Sequence, residues 1–142
     1  MMAKGCLRGQ VSLELLVTLG IVLAFTIPVV FLLMSVSSVG YEKAAKDQAD
    51  ASARSLADSI NTVYAQGAGA KRVVLLNAPS NTKGIIIQGG EVTVSVRTSA
   101  GDYDAVSPVF ANVSDASISE RSGLFPISLE NVDGQVKVML GG

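Results

Sequence analysis

The fold is decided by the stretch Arg8-Gly9-Gln10-Val11-Ser12-Leu13-Glu14-Leu15-Leu16, which opens a long apolar run. From Leu15 to Tyr41 the chain carries no formal charge. A helix of about 20 apolar residues crosses the hydrocarbon core of a bilayer, so this run is long enough to span one. Glu14 lies at the mouth of the run. A carboxylate in apolar surroundings is costly, and it therefore indicates a functional site that needs a partner.

The composition limits the classes of function. At 142 residues the chain holds one small domain and at most an extension, with 49% hydrophobic and 16% charged residues. Lys and Arg are scattered, Trp is absent and the formal net charge is −1, which argues against a nucleic-acid surface. With no His and a single cysteine, Cys6, the chain has neither a disulfide pair nor the usual ligands of a transition metal.

No combination of residues points to catalysis. The sequence lacks a phosphate-binding glycine loop, a nucleophile motif and a histidine base. Asp102 and Asp104 could in principle bind Ca²⁺, but their Gly-Asp-Tyr-Asp context predicts a solvated turn. We therefore expect no catalytic residue, no metal site, no cofactor and no enzyme activity. Asn112-Val113-Ser114 is a candidate N-glycosylation site if this part of the chain is extracellular.

Residues 10–66 are predicted to form one long helix. Its first part, residues 11–39, is apolar on every side, as a helix buried in lipid or among other helices should be. Pro28 lacks an amide donor and crowds the carbonyl of Ala24, so either a kink or a tolerated irregularity is expected there. Thr26 is near enough to help satisfy the freed backbone groups.

The second part of this helix is amphipathic. Glu42 with Lys46 and Asp50 with Arg54 are acid-first pairs four residues apart, which support a helix with a solvated face. The helix should end at Gly67 and the glycine two residues later. An apolar stripe recurs at spacings of three and four and needs a surface to lie on: Ala45, Ala49, Ala53, Leu56, Ile60, Val63 and Tyr64.

Residues 72–142 change to the two-residue period of strands. Gly89-Gly90 and Asp133-Gly134 are hairpin signals between alternating segments. The sequence thus predicts an α+β fold, in which the helix packs on a small antiparallel sheet or sandwich head of six or seven strands. The expected strand segments are 73–76, 85–87, 91–97, 109–114, 125–129 and 135–140.

The opening stretch resembles the class III signal of archaeal type IV pilin-like proteins. Gln10, Ser12 and Glu14 match the first, third and fifth positions of that signal if the chain is cut between Gly9 and Gln10. Two basic residues lie in the leader of residues 1–9, one of them directly before the glycine. Residues 61–69 and 72–79 also resemble the junction between helix and strand in such proteins. The resemblance covers about the first half of the chain.

Glu14 has two possible roles. It lies either in the lipid headgroup region without a specific partner or, as the resemblance implies, against the freed N-terminal amine of a neighbouring subunit. A charge in apolar surroundings needs such a counter-charge or hydrogen bonds. An N-terminal glutamine can cyclise and lose its positive charge, and Glu14 would then need the free amides of a helix N-terminus.

The resemblance implies a structural subunit of a pilus-like filament. A prepilin-type signal peptidase would cut after Gly9, and an assembly ATPase and a membrane platform protein would drive polymerisation through helix 10–66. Basic residues before the span place the N-terminus of the single-pass precursor in the cytoplasm. The head would then be extracellular, with surface adhesion as the expected task. The alternatives are a membrane-anchored domain that never polymerises and a minor pseudopilin-like component of a secretion machine. An archaellum filament protein fits the Gln/Ser/Glu pattern less well.

Overall fold

The computed structural model describes residues 3–141, with side chains from Gly9 onward. Met1 and Met2, the start of the expected leader, lie outside the described residues. One helix, α1 (Ala3–Ala65), is followed by seven strands. The strands are β1 (Lys71–Ala78), β2 (Thr82–Gln88), β3 (Glu91–Thr98), β4 (Gly101–Pro108), β5 (Ala116–Ser119), β6 (Gly123–Val132) and β7 (Gln135–Leu140).

The described chain divides into two units between Tyr41 and Glu42, so the boundary falls inside α1 rather than at its end. Helical backbone begins at Ala3, seven residues before the predicted start at Gln10. At its other end the helix stops at Ala65, and Gly67 and Gly69 adopt φ values of 92° and 90°. These left-handed conformations suit glycine and end the helix as its sequence predicts.

The strands form two antiparallel sheets. One has three strands in the order β1-β6-β7, and the other has four in the order β4-β3-β2-β5. Gly89-Gly90 and Asp133-Gly134 make the two predicted hairpin turns, each with positive φ at both positions. The break at Pro79-Ser80-Asn81 lies where the chain passes from one sheet to the other.

The second part of α1 completes the core of the head. Ala49, Ala53, Leu56, Ile60 and Val63 of the predicted stripe are buried at 0–1% exposure. Ala45 is only half-buried, and the prediction for Tyr64 was wrong because its side chain is 43% exposed. The strands contribute the alternate residues of their inner faces, among them Leu76, Ile85, Ile87, Val92, Val94, Val96, Ile127, Leu129 and Val136. The α+β arrangement is thereby confirmed.

Polar contacts join α1 to the edge strand of each sheet. The hydroxyl of Ser52 donates to the carbonyl of Asn77 at 2.6 Å, next to the end of β1. The hydroxyl of Tyr103 on β4 donates to the carboxylate of Asp50 at 3.1 Å, and this bond raises the pKa of Tyr103 above its usual 10.0. These two bonds tie the helix to the outermost strand of each sheet.

Two predictions about the strands were wrong. Residues 109–114 form a loop and not a strand. Val109 and Ala111 are buried in the core without pairing to a neighbouring strand, and this burial explains their alternation with exposed residues. Asp102 and Asp104 lie on β4, not in a solvated turn, since the turn before them is Ser99-Ala100. β4 was missed because its acidic start resembles a loop.

Candidate assembly surface of the N-terminal helix

The first part of α1 presents apolar side chains in every direction. Each large apolar residue from Val11 to Val39 is 47–73% exposed, and no residue between Gly9 and Tyr41 is buried. An amphipathic helix would keep one polar face, but here the apolar residues lie all round the axis. This segment is long and apolar enough to cross a membrane, a property that N-terminal signal sequences share.

Hydroxyl groups inside this segment bond back to the helix itself. Thr18 donates to the Glu14 carbonyl at 2.8 Å, and Ser35 donates to the Phe31 carbonyl at 3.0 Å. Such bonds to the preceding turn satisfy hydroxyls where no water is available. The polar residues of the segment are thus compatible with an apolar environment.

The helix runs on through Pro28. Its neighbour Thr26 donates to the Val22 carbonyl at 2.7 Å, rather than to the Ala24 carbonyl that Pro28 leaves without an amide donor. The Thr26 hydroxyl therefore does not make the expected hydrogen bond to the Ala24 carbonyl but bonds the Val22 carbonyl instead. Pro28 remains a point where the backbone hydrogen-bond ladder lacks one bond.

The signal motif lies in helical backbone. Gln10 and Glu14 are four residues apart and share one face of α1, while Ser12 points about 200° away from each of them. Glu14 is exposed, and within residues 9–141 no Lys or Arg side chain pairs with its carboxylate. Its position leaves the carboxylate available to a group outside the chain.

The fold does not require glycine at position 9. A Cβ atom added there would meet nothing within 4 Å, and Gly9 is not among the residues of positive φ. Glycine in a helix interior costs about 1 kcal/mol relative to alanine, so this position weakens the helix locally. The weakening falls at the bond where the sequence predicts cleavage.

Asn112 lies on the loop between β4 and β5 with its side chain exposed. The loop is fixed around it, because the Asn112 carbonyl accepts the Val136 amide at 2.8 Å and the Ser114 amide donates to the Val136 carbonyl at 2.9 Å. The glycosylation triplet is therefore accessible at an ordered site.

The two aspartates of β4 have partners within the head. Asp102 forms an ion pair with Lys83, which lowers the pKa of Asp102, and Asp104 accepts a bond from the Ser95 hydroxyl. Among the side chains from Gly9 to Gly141, no group of three or more His, Cys, Asp or Glu residues is placed to hold a metal ion. These contacts explain Asp102 and Asp104 as residues that link the strands of the head.

Sequence reasoning missed two asparagines that hold the head together. The side-chain amide of Asn131, 2% exposed, donates to the carbonyls of Val63 and Tyr64 at 3.4 and 3.3 Å and so caps the end of α1. The side-chain oxygen of Asn61 accepts the amide of Phe110 at 2.9 Å and that of the next residue at 3.1 Å. Asparagines are common at such ends and turns, but their partners lie 49 to 68 residues away along the chain, beyond the reach of local patterns.

No protein-family model, curated protein or solved structure matches the chain.

Proposed function

We propose that the chain is a structural subunit of an archaeal type IV pilus-like filament. It is processed after Gly9 and assembles through its apolar helix. The observation that carries the proposal is the combination of Gln10, Ser12 and Glu14 with the uncovered apolar segment that they open. Before assembly the chain is a single-pass membrane protein, and afterwards it is part of an extracellular filament used for surface adhesion.

The exposed apolar segment has to be buried against lipid or against other helices. Burying one Val, Leu, Ile, Phe or Met side chain contributes about 1.5–3 kcal/mol, so leaving the whole of Val11–Val39 in water would cost tens of kcal/mol. Lipid and a bundle of identical helices both bury such a surface on all sides. The same residues can therefore hold the subunit in the membrane and later form the core of a filament.

Cleavage after Gly9 fits the local backbone. A peptidase has to unwind the helix around the bond that it cuts, and glycine lowers the cost of unwinding there. A prepilin-type signal peptidase would perform this step. An assembly ATPase and a membrane platform protein would then extract the processed subunit.

Glu14 supplies the specificity of assembly. In the core of a bundle its carboxylate requires a partner, and the free N-terminus at Gln10 of a neighbouring subunit offers an amine or, after cyclisation, backbone amides. Pairing position 14 with position 10 offsets the two helices by about 6 Å along their axes. The pair thereby sets the axial register between neighbours.

The test is the Glu14→Ala variant, produced in the native host and followed from membrane to filament. Leaving one member of a buried ion pair without its partner costs about 3–5 kcal/mol, so we expect filament yield to fall about 100-fold or more while processing after Gly9 continues. The matched control is Asp58→Ala, which removes an exposed carboxylate from the head portion of the same helix and should leave the yield unchanged. An unchanged filament yield in Glu14→Ala would refute the role of Glu14 in assembly. A native chain that stays in the membrane and forms no filament would favour the simple membrane anchor instead.

A further inference from the structure

We infer that Asn112 carries an N-linked glycan and that its first sugar packs on the exposed ring of Phe110. The inference rests on the proposed location of the head outside the membrane and adds a modification to it. Two separate observations meet in this loop. Asn112-Val113-Ser114 is the single Asn-x-Ser/Thr triplet of the sequence. Phe110 is 88% exposed, more than any other large hydrophobic residue among the side chains that the structure describes.

Phe110 and Asn112 leave the core on the same side of the loop. Val109 and Ala111 are each only 7% exposed and face the core, whereas Phe110 and Asn112 alternate with them and are exposed. Two residues that are two apart along a chain have Cα atoms at most about 7 Å from each other. A sugar attached to the Asn112 side chain is therefore within reach of the phenyl ring.

The backbone that carries the two side chains is fixed at both ends. On one side, the Asn61 side-chain oxygen accepts the amides of Phe110 and of the next residue at 2.9 and 3.1 Å. On the other side, the Asn112 carbonyl accepts the Val136 amide at 2.8 Å, and the Ser114 amide donates to the Val136 carbonyl at 2.9 Å. Ring and attachment point are thus preorganised, and a contact between sugar and ring costs little conformational freedom.

The attachment is a glycosyl transfer to the side-chain nitrogen of Asn112. The donor is a sugar joined through its anomeric carbon to a lipid phosphate. The bond between that carbon and the phosphate oxygen breaks, and a carbon–nitrogen bond to the amide forms. The lipid phosphate leaves with the electron pair of the broken bond, and the amide nitrogen releases one proton to solvent.

A glycan at Asn112 accounts for the exposure of Phe110. An aromatic ring has an electron-rich face, and the C–H bonds on one face of a sugar ring carry a slight positive charge that is attracted to it. A sugar tethered two residues away covers the ring without any second protein. The filament proposal uses neither residue, so this contact is an addition to the assembly through the apolar helix.

Mass spectrometry of the protein from its native host tests the attachment. We expect a glycan mass on the peptide that contains Asn112, kept in Ser114→Thr, which preserves the triplet, and lost in Ser114→Ala. The control Asn77→Gln changes an exposed asparagine outside any triplet and should keep the glycan. An unmodified Asn112 in filaments would overturn the inference and leave the filament proposal intact. A glycan on chains that form no filament would support the inference and overturn that proposal.

Urea unfolding in detergent micelles tests the packing on Phe110. Phe110→Ala should raise the unfolding equilibrium constant about 2- to 12-fold more in the purified glycosylated chain than in the Asn112→Gln background, as expected for the loss of an aromatic contact. The control Leu124→Ala removes a 65% exposed side chain at the start of β6 and should have the same effect in both backgrounds. An equal effect of Phe110→Ala in both backgrounds would refute the contact between ring and sugar.

Discussion

Replacing Leu56 by alanine should destabilise the head strongly, because the second part of α1 is part of its core. Leu56 is 0% exposed and lies among the buried residues of both sheets. Leu→Ala at such sites costs about 2.7–5 kcal/mol through lost burial and the cavity that remains. A domain of this size is stable by only about 5–15 kcal/mol, so the substitution removes a large share of its free energy of unfolding.

The assay is urea unfolding of the full chain in detergent micelles, followed by tyrosine fluorescence because the chain has no Trp. A urea dependence of about 1–3 kcal/mol per molar converts this loss into a midpoint lowered by roughly 1–5 M. The control is Leu33→Ala, the same change on the same helix at a residue that is 62% exposed, and it should move the midpoint by less than about 0.5 M. Equal midpoints for the two variants would refute the view that α1 completes the core of the head.

Three further predictions concern the contacts of the head. Asn61→Ala leaves the amide of Phe110 without its acceptor, so hydrogen exchange in residues 109–115 should accelerate, and unchanged exchange would contradict the anchoring of this loop. Hydrogen bonds from Ser99 lower the pKa of Glu42 below its usual 4.5, so this stabilisation is present above about pH 4.5 and is lost as pH falls through the lowered pKa. Urea midpoints at pH 7 and pH 3 should therefore differ less in Glu42→Gln than in the native chain, and an equal difference would disprove this linkage. Asn112→Gln should abolish any glycan mass on the protein isolated from its native host, and a glycan that persists would exclude Asn112 as its site.

The features set by local pattern were predictable from the sequence. The end of α1 shortly before Gly67 and the turns at Gly89-Gly90 and Asp133-Gly134 follow from the positive φ that these residues adopt. The stripe from Ala49 to Val63 follows from its helical period. Each of these signals lies within a few residues of the structure it specifies.

The features set by distant contacts were not predictable. The alternation of residues 109–114 resembles a strand, but it arises because a loop buries Val109 and Ala111 and turns Phe110 outward. Strand β4 carries Asp102 and Asp104 near its start, and their charges are compatible with a strand because Lys83 on β2 and Ser95 on the neighbouring β3 bind them. Neither arrangement can be recognised until the order of the sheet is known.

The helix of the uncut chain starts earlier than the segment 10–66 predicted for the processed chain. Helical backbone continues from Ala3 through Gly9, since isolated glycines such as Gly5 and Gly9 weaken a helix without ending it. The boundary expected at Gln10 comes from the cleavage motif and therefore refers to the processed chain. In the uncut chain the helix continues through this position without a break.

The most direct test of the proposed filament is the intact mass of the subunit in purified native filaments. We predict a chain that begins at Gln10, lacking residues 1–9, with or without the loss of ammonia that accompanies cyclisation of the glutamine. A filament-free preparation, a subunit that retains residues 1–9, or one cut beyond the apolar segment of residues 11–39 would contradict the account.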